Sequence, residues 1–386
     1  MTASPDRIAE VARQVTELKG RLFQTPTYRE FQQEFDFLLA QRRASAEDGR
    51  QPEARGLLVV APSGAGKTTL IRNAFRQHPS GLRMLTDDDE RADVVSMAVP
   101  SPATPKGVGL SMLEALRYPL RRDRSAHIIW QLVKAQFAQR QVLFLHLDEA
   151  QDFSRHNNRA DQQAVISTLK SLMQSPQWPV GLILSGMPEL LDLVNMDPQL
   201  ARRLKPIAHR SLSVSVDGPM LLSALRQYAS VAGITVDDEL AQTRFIKRLI
   251  HAADHCFGIL VELICEAIGE ALLANADSLS VRSFATCFGK RAGVPDGLNP
   301  FIAEDFRALD VRRLLQTEPG PGPKAGRRGD SAFACPSCPE RRCRPAFRIS
   351  PQGTVRATCR ILPRTWGCPG GASCNSIPTR FRTCPN

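Results

Sequence analysis

Apolar residues along this chain follow two patterns, and the change between them divides it. From residue 56 to about residue 190 they gather into short continuous runs: "GLLVV", then "ADVVSMAV", "QVLFLHLDEAQDF" and "VGLILSGMPEL". Such runs read as strands buried on both faces, and the segments between them read as helices. "LSMLEALRYPL", residues 125–140 and "AVISTLKSLMQ" are three of those helices. Strand alternating with helix predicts a parallel sheet covered on both sides. After "SLSVSVDGP" the pattern turns all-helical, through "MLLSALRQYASVAG", "ELAQTRFIKRLIHAAD", "ILVELICEAIGEALLANAD" and "LSVRSFATCFGKRAG".

The expected fold class is therefore α/β: a parallel sheet flanked by helices, followed by an all-helical lid. The expected divisions are a helical segment at 1–50, an α/β domain at 51–217, a lid at 218–305, and a linker and tail at 306–386. The boundary is placed near Asp217–Pro219. In the first segment, "FQQEFDFLLAQRRA" sets Phe31, Phe35, Phe37 and Leu38 at near-helical spacing. No apolar run approaches the roughly 18 residues a membrane span needs. No basic-then-apolar leader opens the chain, so a soluble cytoplasmic protein is expected.

Charge changes this picture only at one end. The net charge of +11 suggests a nucleic-acid binder, but residues 319–386 hold 12 Lys and Arg against 2 Asp and Glu. The rest of the chain holds 38 against 37, so bulk charge does not argue that the folded body binds DNA. Seven of the ten cysteines also lie in the tail. The other three, Cys256, Cys265 and Cys287, sit in apolar helical contexts and read as buried thiols. The tail is 19 Pro and Gly in 68 residues, a composition of disordered sequence. Its "CPSCPERRC" has zinc-like C-x-x-C spacing, without a second such pair. Disordered basic tail, zinc knuckle and out-of-frame translation are all open readings of it.

The chemistry starts at "APSGAGKT", Ala61–Thr68. A phosphate-binding loop uses small residues so that backbone N–H groups converge on an anion, with a helix N-terminus behind them. Ser63, Gly64, Ala65 and Gly66 form the cradle, Lys67 supplies the cation, and Thr68 supplies a hydroxyl for magnesium, with Thr69 beside it. The usual first glycine of this motif is Ala61, which fits if its backbone angles are ordinary. ATP and Mg2+ are the expected ligands. "VLFLHLDEAQ" then ends a strand on Asp148, expected to hold the metal shell, and Glu149, expected to polarise the attacking water. His146 lies within that strand, reads as a core histidine and receives no role. Ser185 ends the next buried strand, where its hydroxyl could meet the γ-phosphate or the water. "DPQLARRLKPIAHR" offers arginines that could reach a neighbouring subunit's site; Arg203 is the first choice and Arg202 the second, with Arg210 further on. "HAADH" spaces His251 and His255 as a metal pair, but without the glutamate of a metalloprotease motif it reads as lid surface.

Taken together, "LLVVAPSGAGKTTLIR", "VPSPATPKGVGLSMLEALRYPL", "FLHLDEAQDF", "LILSGMPELLDLV", "LARRLKPI" and "GLNPF" resemble the AAA+ ATPases of the TniB/TnsC group, and IstB more distantly, over residues 5–305. The resemblance implies ATP bound between subunits, a ring or filament on duplex DNA, and recruitment of a DDE transposase of TniA type. Hydrolysis would drive disassembly, and no membrane would be involved. It also implies DNA contacts near Thr104 and Lys106 and in the cluster Arg117, Arg121, Arg122 and Arg124. One departure is the lid helix "CFGILVELICEAI", which has no Arg where such lids often offer one. The rival readings are an ExeA-like secretion ATPase and a nucleotide-gated DNA scaffold with little hydrolysis.

Overall fold

The computed structural model describes residues 4–85, 91–155, 158–316, 345–349 and 355–359. The chain divides into two compact units, Met1–Glu318 and Pro319–Asn386.

A five-stranded parallel sheet organises the first unit. Its strands are β1 (Gly56–Val60), β2 (Val94–Ala98), β3 (Phe144–Asp148), β4 (Gly181–Gly186) and β5 (Leu204–Ala208), in the order β2-β3-β4-β1-β5. Four of these are the expected apolar runs. Every residue of β3 and β4 is buried, which is why they read as unbroken runs rather than alternating ones. The fifth was not legible as a strand, because "LKPIA" carries exposed Lys205 and Pro206. An edge position tolerates both, since a proline there costs no ladder bond on the open side.

Twelve helices follow in chain order among the described residues: α1 (Pro5–Gly20), α2 (Pro26–Glu47), α3 (Lys67–Arg76), α4 (Pro105–Ala115), α5 (Ala126–Gln139), α6 (Arg159–Met173), α7 (Leu190–Asn195), α8 (Pro198–Ala201), α9 (Val214–Val231), α10 (Thr243–Ala252), α11 (Phe257–Leu273) and α12 (Val281–Ala292). Helices α4, α5 and α6 cover one face of the sheet, with Met112, Val133 and Leu169 against Val95, Leu145 and Leu182. Helices α2 and α3 cover the other. There Phe35 lies with its ring centroid 5.3 Å from Phe75 and 5.3 Å from Phe144. Phe37 departs from the expected apolar face: it is 62% exposed, being two residues, about 200° of helix, beyond Phe35.

The lid has its own core, from α9 to α12, braced by β6 (Thr235–Val236) pairing parallel with β7 (Ser278–Leu279). It begins earlier than expected. Helix α9 starts at Val214, so Asp217, Gly218 and Pro219 lie within it. Local capping overrides the Gly-Pro break: the Asp217 carboxylate accepts the Ser213 N–H at 2.7 Å, and Ser213 Oγ accepts that of Val216. The segment 1–50 does not form one element either. Helix α1 joins the lid core through Val11 and Leu18, and Arg7 donates to the Leu272 carbonyl of α11 at 2.9 Å. Helix α2 joins the sheet. Cys256, Cys265 and Cys287 are buried free thiols, as their contexts predict.

In the second unit, β8 (Pro345–Ile349) pairs antiparallel with β9 (Val355–Cys359). Cys335, Cys338 and Cys343, and with them the zinc and disorder readings, lie outside the described residues. Among the described residues, no helix is long and apolar enough to cross a membrane.

Removing the Phe35 ring should empty the contact between α2, α3 and β3. Phe35→Ala is expected to lower unfolding free energy by about 3–5 kcal/mol in a denaturant titration. Phe37→Ala, on the solvent side of the same helix, should stay within about 0.5 kcal/mol of the parent.

Candidate nucleotide-binding site

Strand β1 delivers the chain into the loop at Ala61. Its φ is not in the left-handed region, so alanine replaces the usual glycine without strain. Gly64 (φ 74°) and Gly66 (φ 90°) are in that region, and both need the freedom glycine has. Gly66 caps α3, which places Lys67 at its first position. The Lys67 ammonium donates to the Ala61 and Pro62 carbonyls at 2.9 and 3.0 Å. Burial lowers its pKa, while the carboxylates of Glu149 and Asp148 pull the other way.

Asp148 is the centre of the polar network. Its Oδ2 accepts from the Thr68 hydroxyl at 2.6 Å. Its Oδ1 accepts from the Ser185 hydroxyl at 2.6 Å and from the Glu149 N–H at 3.0 Å. Burial pushes the carboxyl up, but the bonds from Ser185 and Thr68 outweigh it and hold the group below the usual carboxylate range. This corrects the expected place of Ser185. It is fully buried and gives its only O–H to Asp148, so it positions that carboxylate instead of facing the cavity.

The network continues through His146. With the Ser185 proton committed to Asp148, His146 Nε2, 2.9 Å from Ser185 Oγ, must be the donor there. Burial depresses the imidazole pKa and keeps the ring neutral. Nδ1 is then an acceptor, and the Ser96 hydroxyl of β2 donates to it at 2.7 Å. The core-histidine reading holds, with the addition that the ring fixes the direction of a hydrogen-bond chain ending at Asp148.

A cavity of about 420 Å³ lies over the loop. Residues 63–69 line it, together with Glu149, Met187 and His209. Its far wall was not legible in the sequence. Leu22 and Phe23 come from the α1–α2 connection, Tyr228 from α9, and Phe257 and Val261 from α11. The Phe23 and Phe257 rings stand 5.9 Å apart. No spacing rule links segments so distant in the chain. His209 follows β5, donates its N–H to the Val60 carbonyl, and holds Nε2 buried without a partner. Burial lowers its pKa, and the Lys67 charge adds to this.

The arginines part ways. Arg203 is 5% exposed and bound within its own unit, to Glu53 at 2.7 Å and to the Gln199 carbonyl. That corrects the first choice for a reaching arginine; its exposed neighbour Arg202 fits the description instead. Arg210 sits 3.9 Å from Asp217. Thr104 caps α4, its hydroxyl accepting the Gly107 N–H at 3.1 Å. Lys106 pairs with Asp123 at 2.6 Å, which brings the start of α4 to the α4–α5 loop carrying exposed Arg121, Arg122 and Arg124. None of these residues lines the cavity. His251 and His255 bond separate carbonyls, those of Leu309 and Leu212, and no metal-ligating cluster of acidic, His or Cys side chains occurs among the described residues.

Among solved structures, the Orc1 protein of Aeropyrum pernix in complex with DNA is 14% identical, with a TM-score of 0.47, covering 67% of this chain and 65% of that one. Cdc6p from Pyrobaculum aerophilum is 12% identical, with a TM-score of 0.48, covering 75% of this chain and 72% of that one. The Thermotoga maritima RuvB Holliday junction branch migration motor is 14% identical, with a TM-score of 0.40, covering 70% and 71%. The chain thus spans about two-thirds of the length of the Orc1 structure. No curated protein matches it. The family model described as bacterial TniB protein matches residues 25–213, the stretch that holds the phosphate loop, Asp148, Glu149 and Ser185. Over those residues the chain is similar to the bacterial TniB proteins.

Proposed function

We propose that this protein is an AAA+ ATPase that assembles on duplex DNA when ATP is bound and recruits or licenses a DDE transposase. The observation that carries the ATPase part is the bond from Thr68 to Asp148, 2.6 Å, directly beside the phosphate loop. A hydroxyl and a carboxylate held this close are hard oxygen donors suited to Mg2+. Thr68 and Asp148 would hold it, and it would supply charge neutralisation at the phosphates. Lys67 and the backbone N–H groups of residues 63–66 fit a polyphosphate. Leu22, Phe23, Phe257 and Val261 fit the flat apolar faces of a base.

Within this reading Glu149 orients and deprotonates the attacking water. Ser185 holds Asp148 in place. Arg202 reaches the site of an adjacent subunit, which makes hydrolysis depend on assembly. Thr104, Lys106, Arg121 and Arg122 lie near the DNA backbone, as a cluster of the kind that binds phosphate without reading sequence. The family match supports the transposition context.

Particle size and duplex-DNA binding, measured with and without ATP, test the whole. Assembly on DNA should require ATP and should vanish in Lys67→Ala. ATP turnover by a chain that never associates with DNA would sink the transposition reading. Glu149→Gln should keep ATP affinity, lose roughly 10²–10⁴-fold in turnover, and reside longer on DNA; unchanged residence would favour a scaffold. Arg202→Ala should lower turnover of the assembled protein by about 10³-fold with ATP affinity retained.

A further inference from the structure

Gln151 is 1% exposed, two residues beyond Glu149, in the 3-10 turn that follows β3. Its Oε1 accepts the Met187 backbone N–H at 2.9 Å, and its Nε2 donates to Glu149 Oε2 at 2.5 Å. Chemistry fixes this orientation: only the amide oxygen can meet an N–H, so the nitrogen must face the carboxylate. The two bonds join Glu149 to Met187, two residues after Ser185 and the first residue beyond β4.

Gly186 gives a second, independent sign that the junction is built. It ends β4 between Ser185 and Met187, and its φ is not left-handed, so backbone conformation does not call for glycine there. Space does. A Cβ on Gly186 would stand 2.5 Å from Gln151 Oε1 and 3.2 Å from the Gln151 nitrogen of the main chain. The missing side chain is what lets the amide reach Met187.

Glu149 needs such a hold. It is exposed, with φ 53°, and the bond from Gln151 is the one hydrogen bond its carboxylate makes among the described residues. Arresting the free rotation of a glutamate side chain costs conformational entropy, and a general base must sit within hydrogen-bond reach, about 3.2 Å, of the atom that carries the proton.

We propose that Gln151 is a positioning residue for ATP hydrolysis: through Gly186 and Met187 it ties the Glu149 carboxylate to the end of β4, the strand whose Ser185 bonds Asp148. The inference rests on the ATPase reading of this site.

Two variants test it in the full chain. Gln151→Met keeps the volume and removes both hydrogen bonds. Gly186→Ala leaves the amide chemically intact and pushes it away, so it carries the test if Gln151→Met fails to fold. Single-turnover ATP hydrolysis, ATP affinity and melting temperature are measured for each, alone and with Glu149→Gln. Each single variant should hydrolyse ATP about 10–100-fold more slowly, with its Kd for ATP within about twofold of the parent. Neither should slow the Glu149→Gln protein further. Unchanged hydrolysis, an affinity loss that tracks the rate, or the same slowing in the Glu149→Gln background would each overturn the proposal and leave Gln151 a packing residue. A parent chain that binds ATP without hydrolysing it would instead defeat the ATPase reading itself.

Discussion

The site depends on one buried carboxylate. Taking Asp148 out of water is costly unless its oxygens are met by donors. Here the donors come from three different places: Thr68 on α3, Ser185 on β4 and the Glu149 N–H just past β3. Charge-assisted bonds of this kind are about twice as strong as neutral ones. Satisfying the carboxylate therefore fixes the phosphate loop against the ends of two strands. The hydrogen bonds behind it all point the same way, from Ser96 to His146 to Ser185 to Asp148. A chain with one direction requires one tautomer of His146, and burial in the sheet, which keeps the ring neutral, supplies the condition for it.

How much of this the sequence revealed follows from burial. Strands β1, β3 and β4 lie in the middle of the sheet, and continuous apolar runs announce them. The partly exposed β2 has an apolar start at Val94 and Val95 and was still legible. Strand β5 was not, since an edge strand with Lys205 and Pro206 satisfies its environment with a pattern that also suits a loop. The lid boundary was misplaced for a related reason. Gly218 and Pro219 are strong local breakers, and the side chains of Ser213 and Asp217 outweigh them.

The site divides in the same manner. Residues whose role depends on a local turn, from Ser63 to Thr68, carry their chemistry in their spacing. The pair Asp148 and Glu149 is marked by its strand. What spacing could not convey is orientation: Ser185 points inward, Arg203 is consumed by Glu53 and the Gln199 carbonyl, and Thr104 is occupied as a helix cap. Nor could it reveal walls assembled from distant segments. Phe23 and Phe257 are far apart in the chain, and the contact exists because α1 packs on α11 and carries its following loop to the cavity.

That same helix answers the departure noted in the lid, where no arginine stands at the start of α11. The lid meets the phosphate loop through main chain instead. The Ile259 N–H donates to the Gly64 carbonyl at 3.0 Å, and Gly258 lies so close that a Cβ would fall 2.4 Å from that carbonyl oxygen and 2.8 Å from the Gly66 nitrogen. A long cationic side chain can keep hold of an anion while a lid swings by several ångströms. A backbone bond between two close-packed segments cannot, because it is lost within about one ångström of separation. Any shift of the loop around an anion is therefore felt at the first turn of α11, and α1 moves with that helix because Val11 and Leu18 are part of its core. In this lid, contact geometry takes the place that charge would otherwise hold.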